Sequence, residues 1–308
     1  MQRGDLRTQL KLHDVKASVV MGPKYLWNKI LRPLPPSEYG GIITSQQGEL
    51  EVHALTSERD YPMMLWSLTS YYCMSGRKDP LVVHDDGTLS ESSRSRISAH
   101  FPASRIVARS EADDIAGDMF RRYALLSRQR ERLPHMMKLM DFAVFCKAPR
   151  FLIIDSDVLF FDKPNELVDV RSPSHCFSED LASVYAIDPE TLFRRTGFRL
   201  ADRVNCGVAN IRRLGIDYER MEWLLATGMI SLESCPPCLD QTLWAVDCVR
   251  AGHTALPPSY AIATAPGTGG LVAKHYVGLV LDGLCSARDY FFTEGIGKVQ
   301  SLLASKRK

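Results

Sequence analysis

Apolar residues along this chain recur in two ways: short runs closed by turn residues, and longer stretches at helical spacing. Glu51-Val52-His53-Ala54-Leu55-Thr56 predicts a first strand, followed by a turn with capping chemistry over residues 57–60. Apolar positions from Tyr61 to Tyr72 keep a helical period and predict a helix. Pro80-Leu81-Val82-Val83-His84 predicts a second strand, ended by Asp85-Asp86-Gly87, with a polar helix from Ser90 onward and a weaker third strand over residues 104–108. This β-α-β-α-β alternation predicts a parallel sheet with right-handed crossovers. Residues 111–147 read as helical with a break at Pro134, and they lead into Phe151-Leu152-Ile153-Ile154, the run expected of a strand buried on both faces. Further strands are expected within 174–187, over 204–211, and near 253–256 and 272–277. Helices are expected from Asp188-Pro189, over 215–227 and 239–251, and at about residues 285–304.

The pattern therefore predicts an α/β chain with a mostly parallel, Rossmann-like central sheet flanked by helices. Residues 1–48 lack periodicity and are interrupted by Pro33, Pro35, Pro36, Gly40 and Gly41. They read as an N-terminal extension, ordered in part by Tyr25 and Trp27 against the body. Residues 49–308 read as a single domain with two halves, 49–165 and 166–308.

Composition changes this picture little. At 308 residues, 45% hydrophobic and 24% charged, the chain can bury a sizeable core without staples. A net charge of +2 supplies no argument for nucleic acid or a membrane surface. The eight cysteines are scattered and several sit inside apolar patterns, which predicts buried free thiols rather than a disulfide framework. Cys235-Pro236-Pro237-Cys238 has no second pair at zinc-ribbon spacing and reads as a stiff loop before a helix. Residues 1–12 carry no apolar leader region, and no run approaches the ~20 apolar residues of a membrane span. The expectation is a cytoplasmic protein with no transmembrane segment.

Candidate chemistry concentrates after the buried strand, where the apolar run meets Asp155-Ser156-Asp157. In extended chain, residues i and i+2 point to one side, so both carboxylates would converge at the carboxyl end of a central strand. Open α/β sheets keep their ligands there, and charge at such a strand end calls for a counter-ion. This predicts a divalent-cation site. Three further local patterns follow in order: Asn205-Cys206-Gly207, Asp240-Gln241 and His275-Tyr276-Val277-Gly278. Each alone is weak, since turns, helix starts and packed histidines produce the same residues.

Together and in this order, on an α/β background, they resemble the GT-A nucleotide-sugar glycosyltransferases, in particular the glycogenin and bacterial lipopolysaccharide galactosyltransferase group. The stretch from Lys138 through Asp141 to Asp155-Ser156-Asp157-Val158 resembles that group's approach to its D-x-D segment. The resemblance spans roughly residues 50–280. It implies a GT-A fold with a smaller mixed sheet toward the C-terminus, and a metal-dependent hexosyltransferase, with retention of configuration favoured. The donor would be a nucleoside-diphosphate sugar, most often a UDP-sugar, and the acceptor an unassigned glycan, protein or small-molecule hydroxyl. By the same resemblance Asp155, Asp157 and His275 would hold Mn²⁺ or Mg²⁺. Thr56, Ser57, Tyr61 and Asp86 (or Asp85) would take the nucleoside, and Lys138, Asp155, Ser156 and Gly278 would meet its ribose and phosphates. Asn205 and Gly207 would line the sugar pocket. Asp240 would bond sugar hydroxyls, and Gln241 would sit under the anomeric carbon.

One departure stands out. The group usually places a lysine soon after the glycine of its His-x-x-Gly, whereas here Gly278 is followed by Leu279-Val280-Leu281. Lys274, Lys138 or an arginine between 121 and 132 would have to grip the leaving phosphate instead. If the enzyme inverts configuration, Asp240 is the candidate base. The rival readings are a GT-A protein that binds nucleotide-sugar without turnover and a D-x-D phosphatase of the haloacid-dehalogenase type. In that phosphatase type the motif follows the first strand of the domain.

Overall fold

The computed structural model describes residues 32–234, 238–278 and 286–306. The expected contacts of Tyr25 and Trp27 lie outside these residues. A seven-stranded sheet runs in the order β3-β2-β1-β4-β7-β6-β8, formed by β1 (Leu50–Thr56), β2 (Leu81–Asp85), β3 (Arg105–Val107), β4 (Arg150–Ile154), β6 (His175–Glu179), β7 (Val204–Arg212) and β8 (His253–Ala255). The strands β1 to β4 pair in parallel, β7 runs antiparallel to both its neighbours, and β8 is parallel to β6. A small mixed sheet, β5-β10-β9, is built from β5 (Val158–Phe160), β9 (Tyr260–Ile262) and β10 (Ala273–His275).

The pattern explains most of these elements. Leu152 and Ile154 face one hydrophobic core while Phe151 and Ile153 face another, so β4 is buried on both sides and its run is continuously apolar. Helix α1 (Tyr61–Ser75) is almost wholly buried and ends at Gly76, whose φ of 65° suits a left-handed cap. Helix α2 (Glu91–His100) starts at Ser90, whose side chain accepts from the Ser93 N–H.

The region 111–147 is more divided than the periodicity suggested. It forms α3 (Arg109–Met119), α4 (Ala124–Arg132) and α5 (Met136–Phe145), with a second break at residues 120–123 besides the one at Pro134. Phe120 and Tyr123 bury there against the ring of Tyr218, so tertiary packing ends α3. Then follow α6 (Pro189–Thr196), α7 (Tyr218–Ala226) and α8 (Leu239–Ala251). The expected final helix is α9 (Ala287–Tyr290), a π turn (Phe291–Gly295) and α10 (Ile296–Lys306). The three-residue β9 was not expected, and the 174–187 stretch yields the single strand β6.

Among the described residues, no helix is long and apolar enough to cross a membrane. The described cysteines are free thiols, and Cys235 of the CxxC lies outside the described residues.

Buried histidines make the fold acid-sensitive. Burial lowers His100 to about 4, with its Nε2 2.8 Å from the Thr69 hydroxyl, and burial also lowers His53 and His84. The folded state keeps these rings neutral, while the unfolded chain protonates them near the ordinary value of about 6.5. The unfolded state then binds more protons, so stability falls as pH drops from there toward 4. At pH 5 the His100 share is on the order of 2 kcal/mol. Urea titrations at pH 7 and pH 5 should show a smaller acid loss for His100→Asn than for wild type. Equal losses would remove His100 as a source.

Candidate active site

The polar residues singled out in the sequence gather at the carboxyl end of β4 and its neighbours. Asp155-Ser156-Asp157 is a turn between β4 and β5, not a continuation of the strand. The two carboxylates therefore converge because the chain turns: the Val158 N–H donates to Asp155 O at 3.2 Å. The turn is held from four sides. Asp155 N–H donates to Gly207 O (2.8 Å), and Tyr276 N–H donates to Asp157 O (2.8 Å). The Ser67 hydroxyl donates to Asp155 O (3.0 Å), and the Ser156 hydroxyl donates to Leu55 O (3.2 Å). Backbone groups of β1, β7 and the residue after β10, with the Ser67 hydroxyl of α1, thus fix where the turn sits.

The imidazole of His275 completes a group of three. Its Nε2 lies 3.1 Å from Asp157 Oδ1 and 3.9 Å from Asp155 Oδ2. One ligand atom from each of Asp155, Asp157 and His275 lies within 4.8 Å of the others. Asn205 sets the ring's orientation. Its Oδ1 accepts from the Gly207 N–H (3.0 Å) and faces His275 Nδ1 at 3.1 Å. With Nδ1–H donating to that oxygen, Nε2 is turned to the carboxylates, the arrangement by which proteins orient a metal-ligating histidine. Gly207 makes the room: a Cβ there would stand 2.1 Å from His275 Cε1. The resemblance placed this glycine in the lining of the sugar pocket; the space left by its missing Cβ is taken by the imidazole.

Electrostatics divide the two aspartates. Burial works against the Asp157 carboxylate, yet His275 and then Arg288 outweigh it and hold the group well below the usual carboxylate range. Burial raises Asp155, offset in part by Lys138 and His275. Burial would lower His275, but Asp157 reverses this and raises it. The Lys138 ammonium donates to both oxygens of Asp155 at 3.1 Å and stands 3.6 Å from Asp240 Oδ2. It sits in the cluster as a fixed internal cation.

The remaining expected residues are placed as follows. Asp240 is buried, and its Oδ2 accepts from the Cys206 thiol at 3.3 Å. Gln241 Nε2 donates to Asp180 Oδ2 (3.1 Å) and Val184 O (3.0 Å). Asn205 Nδ2 donates to the same Asp180 oxygen (3.2 Å), so Asp180 links the Asn205–His275 pair to Gln241. Thr56 and Ser57 end β1, with the Ser57 hydroxyl 3.3 Å from Asp60 Oδ2. Tyr61 packs into the core, and its hydroxyl accepts from Arg96 (3.1 Å). Asp86 accepts from the Thr88 N–H and hydroxyl, while the buried Asp85 caps the same loop and pairs with Arg94. Gly278 is exposed, with open space where a Cβ would stand.

Of the stand-ins expected for the missing lysine, Lys138 lies in the cluster, bound to Asp155 and Asp240, whereas Lys274, Arg130 and Arg121 are engaged elsewhere. Lys274 is buried and donates to Glu294 (2.6 Å), Ala265 O and Gly267 O. Arg130 forms a buried bidentate pair with Asp141 at 2.6 and 2.7 Å, and Arg121 pairs with Asp118 on the surface. Besides Lys138, a second basic residue reaches the cluster: Arg288, whose Nε and Nη2 donate to Asp157 Oδ2 at 3.0 and 2.8 Å. The sequence offered no motif for Arg288 or Asp180. Arg288 lies 131 positions from its partner.

A second buried group, Glu51, His53 and Cys146, also brings ligand-type atoms together. There both Glu51 oxygens accept from the Lys147 N–H, His53 Nε2 faces Glu51, and His53 Nδ1 faces His84 Nε2 at 3.0 Å. These bonds satisfy the glutamate internally, so it is a structural network on the far half of β1. A cleft of about 680 Å³, lined by Glu166, Asp169, Arg171, Cys176, Thr254 and Leu256 among others, contains none of the expected site residues.

A scan against protein-family models finds no match, and a search of curated proteins finds none. Solved structures do match. The chain has the GT-A glycosyltransferase fold, with its mostly parallel central sheet and small second sheet. Mouse xyloside xylosyltransferase 1 in its apo form superposes with a TM-score of 0.51 at 10% identity, covering 73% of this chain and 97% of that one. The galactosyltransferase LgtC, in complex with donor and acceptor sugar analogs, superposes with a TM-score of 0.51 at 15% identity, covering 83% of this chain and 95% of that one.

Proposed function

We propose that this chain is a metal-dependent glycosyltransferase that moves a sugar from a nucleoside-diphosphate sugar, with UDP-sugar favoured, to a hydroxyl acceptor. One observation carries the reading: Asp155, Asp157 and His275 converge at the carboxyl end of the central sheet, and Asn205 turns Nε2 of His275 toward the carboxylates. Two carboxylates and one imidazole form a donor set that suits Mn²⁺, which accepts both oxygen and nitrogen ligands. The fold shared with structures of two sugar transferases supports the same reading. A divalent ion held there would stabilise the negative charge that develops on a leaving nucleoside diphosphate.

The residues around it divide the remaining work. Lys138 holds the Asp155 and Asp240 carboxylates in place with its buried positive charge. Thr56, Ser57 and Asp86, at the ends of β1 and β2, border the space assigned to the nucleoside. Gln241 and Asp180 border the sugar. Asp240 is buried against Lys138 and Cys206, an arrangement that orients sugar hydroxyls better than it serves a free base. This supports retention over an inverting mechanism with Asp240 as base. Three strands, β1, β2 and β3, precede the strand that leads into Asp155, which argues against the phosphatase type whose motif follows the first strand of its domain.

The test is a thermal-shift screen with UDP, GDP, ADP, CDP and TDP, each with and without Mn²⁺, followed by donor-hydrolysis assays with the matching nucleotide sugars. Mn²⁺-dependent stabilisation by one nucleoside diphosphate, with slow hydrolysis of its sugar, is the expected result. No response to any of them would reject the proposal. Metal-dependent binding without turnover on any donor would favour a non-catalytic nucleotide-sugar-binding protein.

A further inference from the structure

The guanidinium of Arg288 is the cationic feature of the site that no sequence motif accounts for. It holds Asp157 Oδ2, while His275 faces the other oxygen of the same carboxylate. A cation shared among Asp155, Asp157 and His275 would therefore lie close to two fixed positive charges, Lys138 on Asp155 and Arg288 on Asp157. Asp157 is the anion between that cation and Arg288, and its single negative charge offsets only part of the charge of a divalent ion and a guanidinium together. Arg288 is also 39% exposed, whereas Asp157 is 7% exposed, so the guanidinium forms the outer, solvent-facing edge of the cluster.

Its support is tied to the body by hydrogen bonds and buried rings. Arg288 lies on α9, where the Asp289 carboxylate accepts from the Ser286 N–H at 2.8 Å. The π turn that follows buries Phe291 and Phe292. Glu294, in the same turn, is tied to Lys274 of β10 at 2.6 Å, next to His275. The arginine and the histidine are thereby held by one connected piece of structure.

Positive charge continues beyond it. Arg32 donates to Arg59 O and lies 3.5 Å from Asp60, just after the end of β1. Burial and the neighbouring charges of Arg59 and Arg288 lower Arg32. Arg32 and Arg288 thus lie within electrostatic reach of each other and of the Asp60 carboxylate. An outward-facing cationic edge beside a carboxylate–imidazole cluster fits a ligand that carries several negative charges on closely spaced oxygens. The planar guanidinium fork suits phosphate oxygens in particular.

We propose that Arg288, backed by Arg32, is the arm that grips the diphosphate of the donor and of the released nucleoside diphosphate. In this role it exchanges its hold on Asp157 Oδ2 for phosphate oxygens. The inference rests on the donor reading above and assigns its missing cation to a residue far along the chain from His275-Tyr276-Val277-Gly278. It makes Arg288 specific for the second phosphate rather than for the nucleoside.

The experiment is calorimetric titration, in Mn²⁺, of nucleoside diphosphates and their matching monophosphates into wild type, Arg288→Ala and Arg288→Lys. Arg171→Ala, on an exposed residue of the separate cleft, serves as a control for the loss of one surface arginine. Mn²⁺ alone is titrated into each protein. In Arg288→Ala the diphosphate should bind roughly ten- to a hundredfold more weakly, the worth of a charge-assisted pair. The monophosphate should change far less and Mn²⁺ alone should bind no more weakly, with Arg288→Lys intermediate for the diphosphate. Equal losses for diphosphate, monophosphate and Mn²⁺ would make Arg288 a structural support of Asp157 and overturn the inference, as would unchanged diphosphate binding. If wild type binds no nucleoside diphosphate at all, the donor reading falls first and this inference falls with it. If wild type binds and Arg288→Ala matches it, this inference alone is lost.

Discussion

Replacing Asp157 by asparagine is expected to lower metal-dependent donor turnover by on the order of 10²–10³ or more, the scale seen when a preorganised charged contact is removed from an active site. Asparagine keeps the shape of the side chain and removes its charge. In the folded chain that charge faces His275 Nε2 at 3.1 Å on one oxygen and Arg288 at 2.8 Å on the other. The low proton affinity that His275 and Arg288 impose, against the opposing effect of burial, keeps the carboxylate ionised across the neutral range. Without it, two cationic groups share a pocket with the Asp155 carboxylate as the nearest anion, and Asp155 is already bonded to Lys138. Donor hydrolysis, together with Mn²⁺ titration followed by electron paramagnetic resonance, measures the effect. Turnover and Mn²⁺ affinity equal to wild type would remove Asp157 from the proposed metal site.

The second large effect is expected from a methyl group. Gly207→Ala would put a Cβ 2.1 Å from His275 Cε1 and 2.5 Å from its Nδ1. The backbone cannot yield readily, because β7 is paired with β4 on one side and β6 on the other. Gly207 O also accepts from the Asp155 N–H, so a shift of β7 would drag the Asp155 turn with it. The ring must leave instead, losing Asn205 behind it and Asp157 in front. A destabilisation of about 1–3 kcal/mol is expected from overpacking, accompanied by loss of Mn²⁺ binding. Urea unfolding and the same Mn²⁺ titration read the two parts separately. A variant with wild-type stability and metal affinity would show that the imidazole has another seat.

The fold was legible in the sequence where local pattern decides structure. The strands β1, β2 and β4 sit where the short apolar runs predicted them, and α8 has the bounds read from its periodicity. The apolar run of Phe151-Leu152-Ile153-Ile154 correctly implied a strand with cores on both faces. Legibility failed where a distant partner ended or reshaped an element. Phe120 and Tyr123 break the helical region because Tyr218 covers them, and the last helix is interrupted by a π turn whose Glu294 is held by Lys274. The three-residue β9 exists because β10 pairs with it, and three residues carry no period to read.

For the candidate site, residue types and order were written in the chain: an apolar strand ending in Asp155 and Asp157, then Asn205, Gly207, Asp240, Gln241 and His275. Periodicity and composition depend on neighbours a few positions apart, and so they determined the α/β class and the strand end where carboxylates collect. Which charge meets which oxygen depends on His275 of β10 and Arg288 of α9, which reach Asp157 from 118 and 131 positions away. Only the tertiary structure decided that the aspartates converge through a turn, that Gly207 exists for the His275 ring, that Lys138 is an internal counter-ion, and that Arg288 is the cation at the open edge. Each of these is set by distance in space, and spacing along the chain does not encode it.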